Sequence, residues 1–140
     1  MKKYKIGYTA GVYDLFHVGH LNLLKRAKEQ CEYLIVAVTV DELTSYKHKT
    51  AVIPFEDRIQ IVEAIRYVDK AVPQVSMDKM AAWEKYHFDV MFVGDDWKGT
   101  EKWNKLEEEF KKKGVDIVYF PYTKKVSSTM LREKIKNKDI

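Results

Sequence analysis

Two histidines three residues apart, His17 and His20, follow the first apolar segment of the chain and flank Gly19. On the first turn of a helix, residues at this spacing share one side. Gly19 has no side chain and lets a large anion approach the backbone, and a helix start adds free N–H groups and the positive end of the helix dipole. These features predict a phosphate site in which two imidazoles donate to an oxygen on which charge grows.

Other interpretations of an isolated H-x-x-H pair stay open at this point. The two histidines could be ordinary polar residues at a helix start. A zinc site would need a third ligand, which His48 or His87 would have to supply from elsewhere in the chain. No G-x-G-x-x-G follows the first strand, so a dinucleotide fingerprint is absent.

A second anion signal lies near the end of the sequence, where Ser127, Ser128 and Thr129 begin a predicted helix and Arg132 follows within one turn. Hydroxyls at a helix start can cradle a phosphate, and they can equally be ordinary N-caps. The pattern is therefore compatible with a second phosphate cradle.

Basic residues also follow the second predicted strand, with Lys47 and Lys49 in a polar segment and Arg58 and Arg66 on the next helix. Such residues usually face water. Ligands of open parallel sheets bind beyond the carboxyl ends of the strands, and this segment starts at such an end. Lys47 could therefore reach a polyphosphate.

The fourth predicted strand ends in Gly94-Asp95-Asp96-Trp97. Acidic groups beside an indole could hold a sugar or a base and stack on it. Gly and Asp also favour tight turns, so a turn without a ligand is the alternative.

Short apolar segments alternate with segments of helical period along the whole chain. Strands are predicted at residues 5–10, 33–40, 71–72, 88–93 and 115–120, the third stopping at Pro73. Helices are predicted at about 20–32, from Pro54 onward, at 77–86, around Trp103, Leu106 and Phe110, and at 127–137, with a loop at 41–53. This alternation indicates an α/β fold with a parallel sheet. With no repeat and no interdomain linker, residues 1–140 are predicted to form a single domain.

Composition excludes several classes of protein. The 140 residues are 46% hydrophobic and 33% charged, as in ordinary globular proteins, with a formal net charge of +4. This mild excess of basic residues suits the handling of anions but, interleaved with acids, does not predict nucleic-acid binding. The lone Cys31 permits no internal disulfide, and no apolar run reaches the roughly 20 residues of a membrane span, so we expect a cytoplasmic protein.

Taken in order, these motifs resemble the HxGH nucleotidyltransferases. The first is G-x-Y-D-x-x-H-x-G-H after a strand; Arg66-Tyr67-Val68-Asp69, Gly94-Asp95-Asp96-Trp97 and Ser127-Ser128-Thr129 make the sequence similar to the cytidylyltransferase branch. The resemblance extends from Ile6 to about Lys134.

The resemblance implies a Rossmann-like domain, with a five-stranded, mostly parallel sheet and helices on both faces, which usually forms a homodimer. It implies a reaction of CTP with a small phosphorylated alcohol, foremost glycerol 3-phosphate, that yields a CDP-alcohol for wall or capsule polymers and pyrophosphate. Mg²⁺ would be bound through the CTP phosphates, with no metal site made by protein alone. No nucleic acid and no membrane insertion are expected.

The motifs and the resemblance together assign roles residue by residue. The catalytic residues would be His17, His20 and Lys47. The nucleotide-binding residues would be Gly11, Val12, Tyr13, Asp14, Gly19, Asp96, Ser127, Ser128, Thr129 and Arg132. The residues that bind the second substrate would be Lys47, Lys49, Arg58, Arg66, Trp97 and Tyr122.

Two departures from the family pattern leave alternatives open. Val12 stands where the family usually has Thr, and Tyr122 and Lys124 replace an Arg and a Glu of a closing signature that helps to mark users of CTP. The ending also resembles ATP-using adenylyltransferases of the same fold. Phosphocholine, phosphoethanolamine and other polyol phosphates are alternative acceptors, and a module that binds nucleotide or nucleic acid without catalysis is the alternative from another class.

Overall fold

Five strands form one sheet in the order β3-β2-β1-β4-β5, and every neighbouring pair is parallel. The computed structural model describes residues 2–46, 51–95 and 98–121. In chain order the elements are β1 (Tyr4–Gly11), α1 (Val18–Gln30), β2 (Cys31–Thr39), α2 (Asp41–Tyr46), α3 (Phe55–Glu63), β3 (Lys70–Gln74), α4 (Lys79–Tyr86), β4 (Val90–Gly94), α5 (Glu101–Lys112) and β5 (Asp116–Phe120). The predicted α/β fold with a five-stranded parallel sheet is confirmed.

Both faces of the sheet are covered by helices, as predicted. On one face Leu24 of α1 and Val62 of α3 are fully buried against the sheet. On the other face α5 contributes Trp103 and Phe110, and α4 packs beside it. The middle of β2 is buried on both faces, which explains why its sequence is a continuous apolar run rather than an alternating one.

Two predicted boundaries were wrong for identifiable physical reasons. β3 continues through Pro73 to Gln74 instead of stopping before the proline. β3 is an edge strand, where a missing N–H disrupts no second ladder. The predicted loop after β2 contains the helix α2, whose first turn carries Asp41 and Glu42, the charge that a helix N-terminus favours.

The strand order fixes where ligands can bind. β1 is paired with β2 on one side and with β4 on the other. Successive strands are therefore added on one side of β1 as far as β3 and on its other side from β4 onward, so the strand order reverses beside the carboxyl end of β1. Open parallel sheets bind ligands in the crevice at such a point. The histidine segment leaves the sheet there. Within the described residues, no helix is long and apolar enough to cross a membrane.

Candidate functional site

The segment between β1 and α1 is a tight loop held in an unusual backbone conformation. Tyr13 and Leu15 have φ angles of 56° and 50°, in the left-handed region that residues with a side chain rarely adopt. The Tyr13 side chain is buried, and a Cβ at Gly11 would lie 3.1 Å from its ring. Gly11 therefore lets the loop fold back onto the end of β1, so that Tyr13 anchors it in the core.

His17 and His20 cap the N-terminus of α1 reciprocally. The N–H of Gly19 donates to Nδ1 of His17 at 3.0 Å, and the N–H of His17 donates to Nδ1 of His20 at 3.2 Å. The two rings stack with centroids 4.1 Å apart and planes inclined by 26°. The predicted proximity of the two imidazoles at a helix start is confirmed.

These caps fix which nitrogen of each ring carries the proton. An Nδ1 atom that accepts a backbone N–H has no proton of its own, so the neutral ring is protonated on Nε2. Burial lowers the pKa of His17, and it lowers the pKa of His20 to about 4, with a further contribution from neighbouring His17. At neutral pH both rings are therefore uncharged, and each has one Nε2–H donor that its cap leaves available.

Asp14 joins the histidine loop to the chain before α3. Its carboxylate is 2% exposed and accepts the N–H groups of Val52 and Ile53, both at 2.9 Å. Residues 51–53 directly follow the segment that carries Lys47 and Lys49. Asp14, which was predicted to bind nucleotide, thus holds the histidine loop against the chain before α3 through these two hydrogen bonds.

Arg58 is fully buried, which the sequence analysis did not predict. Its guanidinium donates to the carbonyl oxygens of Ile53, Val12 and Thr39, each at 2.8 Å, and to Oδ1 of Asp41 at 2.6 Å. All three nitrogens are used by protein acceptors. Arg58, predicted to bind the second substrate, therefore has every guanidinium nitrogen bonded within the protein, an arrangement typical of a residue that positions its neighbours.

The partner of Arg58 is itself doubly held. Asp41 accepts the N–H of Phe55 through its other oxygen at 3.1 Å. That backbone bond, followed by the bond from Arg58, holds the pKa of Asp41 below its usual range. One carboxylate therefore connects the start of α2 to the start of α3.

Arg66 lies away from the histidines within this chain. Its guanidinium is exposed and stands over the ring of Tyr67, 5.6 Å from the centroid. α3 starts near Val12 at the carboxyl edge of the sheet and runs back towards the start of β3, so Arg66 lies near the opposite edge. His87, weighed above as a zinc ligand, ends α4 on that same edge.

Several predicted site residues fall outside the described residues. They are Lys47, His48, Lys49, Asp96, Trp97, Tyr122, Lys124, Ser127, Ser128, Thr129 and Arg132, together with the predicted helix at 127–137.

Two residues that the sequence analysis missed stand at the same edge of the sheet. Thr39 is the last residue of β2 and Gln74 the last of β3, and they are 4% and 5% exposed. The hydroxyl of Thr39 donates a hydrogen bond to Oε1 of Gln74 at 2.6 Å. The available signal was a polar residue at the end of each apolar strand. That signal is weak, because polar residues also end strands that bind nothing.

The chain is similar to known proteins over nearly its full length. It matches the family described as Cytidylyltransferase-like over residues 8–134. It is 38% identical to glycerol-3-phosphate cytidylyltransferase of Staphylococcus aureus, over 94% of this chain and 95% of that protein. It is equally similar to the Bacillus subtilis protein of that name, over 91% of this chain and 94% of that one.

More distant similarities extend to other members of the fold. An FAD synthase of Thermococcus kodakarensis is 35% identical over 81% of this chain and 78% of that one. Among solved structures, the lipopolysaccharide core biosynthesis protein of Thermoplasma volcanium superposes with a TM-score of 0.72 at 24% identity, covering 88% of this chain and 99% of that one, which supports the fold alone. The extent of the family match, with the paired histidines at the start of α1, shows that the chain belongs to the cytidylyltransferase-like family of nucleotidyltransferases.

Proposed function

We propose that this protein transfers CMP from CTP to glycerol 3-phosphate, giving CDP-glycerol and pyrophosphate. The observation that carries the proposal is the pair of neutral imidazoles at the carboxyl edge of the sheet, each with Nδ1 occupied by a backbone N–H. Relatives named for this reaction, 38% identical over more than nine-tenths of the chain, support the choice of substrates.

The reaction needs no nucleophilic side chain. An oxygen of the glycerol 3-phosphate phosphate group attacks the α-phosphorus of CTP in line, a new P–O bond forms, and the bond to the pyrophosphate oxygen breaks with its electron pair. Because two anions must meet, positioning and preorganised donors account for most of the acceleration. The Nε2–H groups of His17 and His20 would donate to phosphate oxygens whose negative charge increases in the transition state.

Other residues complete the proposed site from outside the described ranges. Lys47 and Lys49 would contact phosphates of CTP or of the second substrate. Asp96 and Trp97 would hold the nucleoside and the second substrate at the end of β4. The hydroxyls of Ser127, Ser128 and Thr129, with Arg132, would form the second phosphate cradle, and Tyr122 would lie beside the acceptor.

Mg²⁺ is proposed to enter bound to the triphosphate, as it commonly does at phosphoryl-transfer sites. Its chemistry there is to neutralise charge on the phosphates that leave. Across the described residues no three His, Cys, Asp or Glu side chains cluster closely enough to hold a metal ion.

Transfer of AMP from ATP is the second candidate. Its support is the similarity to an FAD synthase, together with Tyr122 and Lys124 at the closing signature.

We further propose that the protein is a homodimer and that it acts in the cytoplasm. The cytoplasm is compatible with Cys31, which is the single cysteine, is buried and requires no oxidising compartment.

The reaction is tested by pyrophosphate release with CTP or ATP and a panel of alcohol phosphates, with the product mass measured directly. We expect CDP-glycerol from CTP and glycerol 3-phosphate, and no product without an acceptor. Turnover with ATP alone would replace the proposal by the adenylyltransferase, and binding of CTP without turnover on any acceptor would indicate a non-catalytic module.

Loss of an Nε2–H donor is expected to lower kcat more than it raises KM. His17→Asn keeps an acceptor for the N–H of Gly19 while removing the donor, and we expect kcat to fall by about 100-fold, roughly 2.7 kcal/mol, as for one lost donor to a developing charge. Thermal unfolding serves as the control for the retained cap. A folded His17→Asn protein with near-normal kcat would remove His17 from the proposed chemistry.

The protonation state of the histidines is expected to appear directly in long-range ¹H–¹⁵N spectra at pH 7. Both rings should be neutral with the proton on Nε2, since each Nδ1 accepts a backbone N–H. Because the pKa of His20 is lowered from 6.5 to about 4, the unfolded chain binds more protons between these values, and the free energy of unfolding should fall as pH is lowered through that interval. Imidazolium signals at pH 7 would contradict the assignment.

Replacement of Arg58 is expected to lower the free energy of unfolding rather than to weaken one substrate contact. Arg58→Met leaves three carbonyl groups and Asp41 without their donor, and removal of one partner from a buried ion pair typically costs about 3–5 kcal/mol. Since Asp41 is half exposed, we expect the lower end of that range in urea unfolding.

Arg66→Met is the matched control, because Arg66 is an exposed arginine just after the end of α3. This substitution should change the free energy of unfolding by no more than about 0.5 kcal/mol. An Arg58→Met protein as stable as the Arg66→Met protein, with a raised KM only, would return Arg58 to the set of substrate-binding residues.

A further inference from the structure

We infer that Gln74, oriented by Thr39, recognises a hydroxyl group of the alcohol substrate. The inference rests on the proposed function and identifies a residue that would determine which alcohol phosphate is accepted. The two residues are register partners at the carboxyl ends of β3 and β2.

The hydrogen bonds of this pair are incomplete. Thr39 Oγ1 and Gln74 Oε1 are 2.6 Å apart, and the backbone carbonyl of Gln74 accepts the N–H of Val40. A Gln amide carries an acceptor oxygen and an NH₂ with two donors. Among the described residues no acceptor bonds to Nε2 of the Gln74 amide.

Burial makes this amide group unusual. The Gln74 side chain is 5% exposed, so little water reaches it, and a buried polar group without a partner destabilises a fold. Nearly all buried polar groups in native proteins have a partner, and the exceptions call for an explanation such as an absent ligand. A bound ligand group that accepts a hydrogen bond would supply the partner that the described residues do not.

The pair lies at the histidine edge of the sheet. Nη1 of Arg58 donates at 2.8 Å both to the Thr39 carbonyl and to the Val12 carbonyl, and Val12 begins the loop that leads to His17. The end of β2 is thereby held beside the start of the histidine loop. Alternation along the strands directs the side chains of Thr39 and Gln74 to the face covered by α4 and α5, the face of Ala37 and Val72.

The chemistry of the pair selects the kind of group it would bind. A phosphate favours cations and helix N-termini, and a neutral amide is a poor match for its charge. A quaternary ammonium has neither a donor nor an acceptor for the amide. A hydroxyl both donates and accepts, so it can satisfy either atom of the amide. β2 and β3 lie on the side of β1 opposite to β4, the strand that leads to Asp96, which is proposed to bind the nucleotide. The hydroxyl is therefore assigned to the alcohol and not to CTP.

The test compares glycerol 3-phosphate with 3-hydroxypropyl phosphate and 2-hydroxypropyl phosphate, each of which lacks one hydroxyl. The wild-type protein is expected to prefer glycerol 3-phosphate over at least one of them by about tenfold or more in kcat/KM, because a site built to bond a hydroxyl rejects the analogue that lacks it. Gln74→Met should abolish that preference by lowering kcat/KM for glycerol 3-phosphate about tenfold or more, with KM for CTP within about twofold of wild type.

Gln60→Met is the control, since it makes the same substitution at an exposed position of α3 and should keep the preference. Should Gln74→Met fail to fold, Thr39→Val tests the same pair with little change of shape and should weaken the preference in the same direction. A folded Gln74→Met or Thr39→Val protein that keeps the full preference, or that raises KM for CTP instead, overturns the inference alone. A wild-type protein inactive with CTP on all three phosphates overturns the proposed function together with it.

Discussion

The buried guanidinium of Arg58 is the interaction on which the geometry of the site depends. It holds the carbonyl groups of Val12, Thr39 and Ile53, which belong to the histidine loop, the end of β2 and the chain before α3. Arginine suits this role because its planar group presents five donors in fixed directions and does not lose its charge. A lysine ammonium has three donors on one nitrogen and could not bond all four acceptors that Arg58 reaches.

Asp14 extends the same principle with the opposite charge. Its carboxylate accepts two backbone N–H groups from the segment that Arg58 also holds through the Ile53 carbonyl. A buried cation and a buried anion thus fasten the same piece of backbone from two sides, each satisfied by hydrogen bonds as buried charges must be. The loop with two left-handed residues, Tyr13 and Leu15, is kept in place by this surrounding structure.

The sequence was sufficient for the fold because period and strand ends are local properties. Alternating apolar segments indicated the parallel sheet, and the spacing of His17 and His20 indicated that the rings share a helix start. Pro73 was misjudged because its effect depends on whether β3 is an edge strand, which only the strand order decides.

The role of Arg58 was partly visible in the sequence and was overlooked. Arg58 lies four residues before Val62, the spacing that puts both side chains on the inner side of α3, and both are fully buried. What the sequence could not show is which carbonyl groups meet the guanidinium, since they come from three separate segments. Gln74 was missed for the same reason, because its burial depends on the neighbouring strand and on the helices above it.

Neutral imidazoles at the proposed phosphate site would have a consequence for catalysis. A fixed cation attracts the phosphates of substrate, transition state and product alike, so much of its effect goes into binding, whereas only interactions that strengthen in the transition state raise kcat. A neutral Nε2–H donor binds a diffuse charge weakly and gains as charge concentrates on the oxygen it faces. In the proposed mechanism the lysines outside the described residues would therefore set affinity, and the capped histidines would set the rate. The caps matter to this division, because an Nδ1 atom that already accepts a backbone N–H resists the second proton that would turn the ring into another fixed cation.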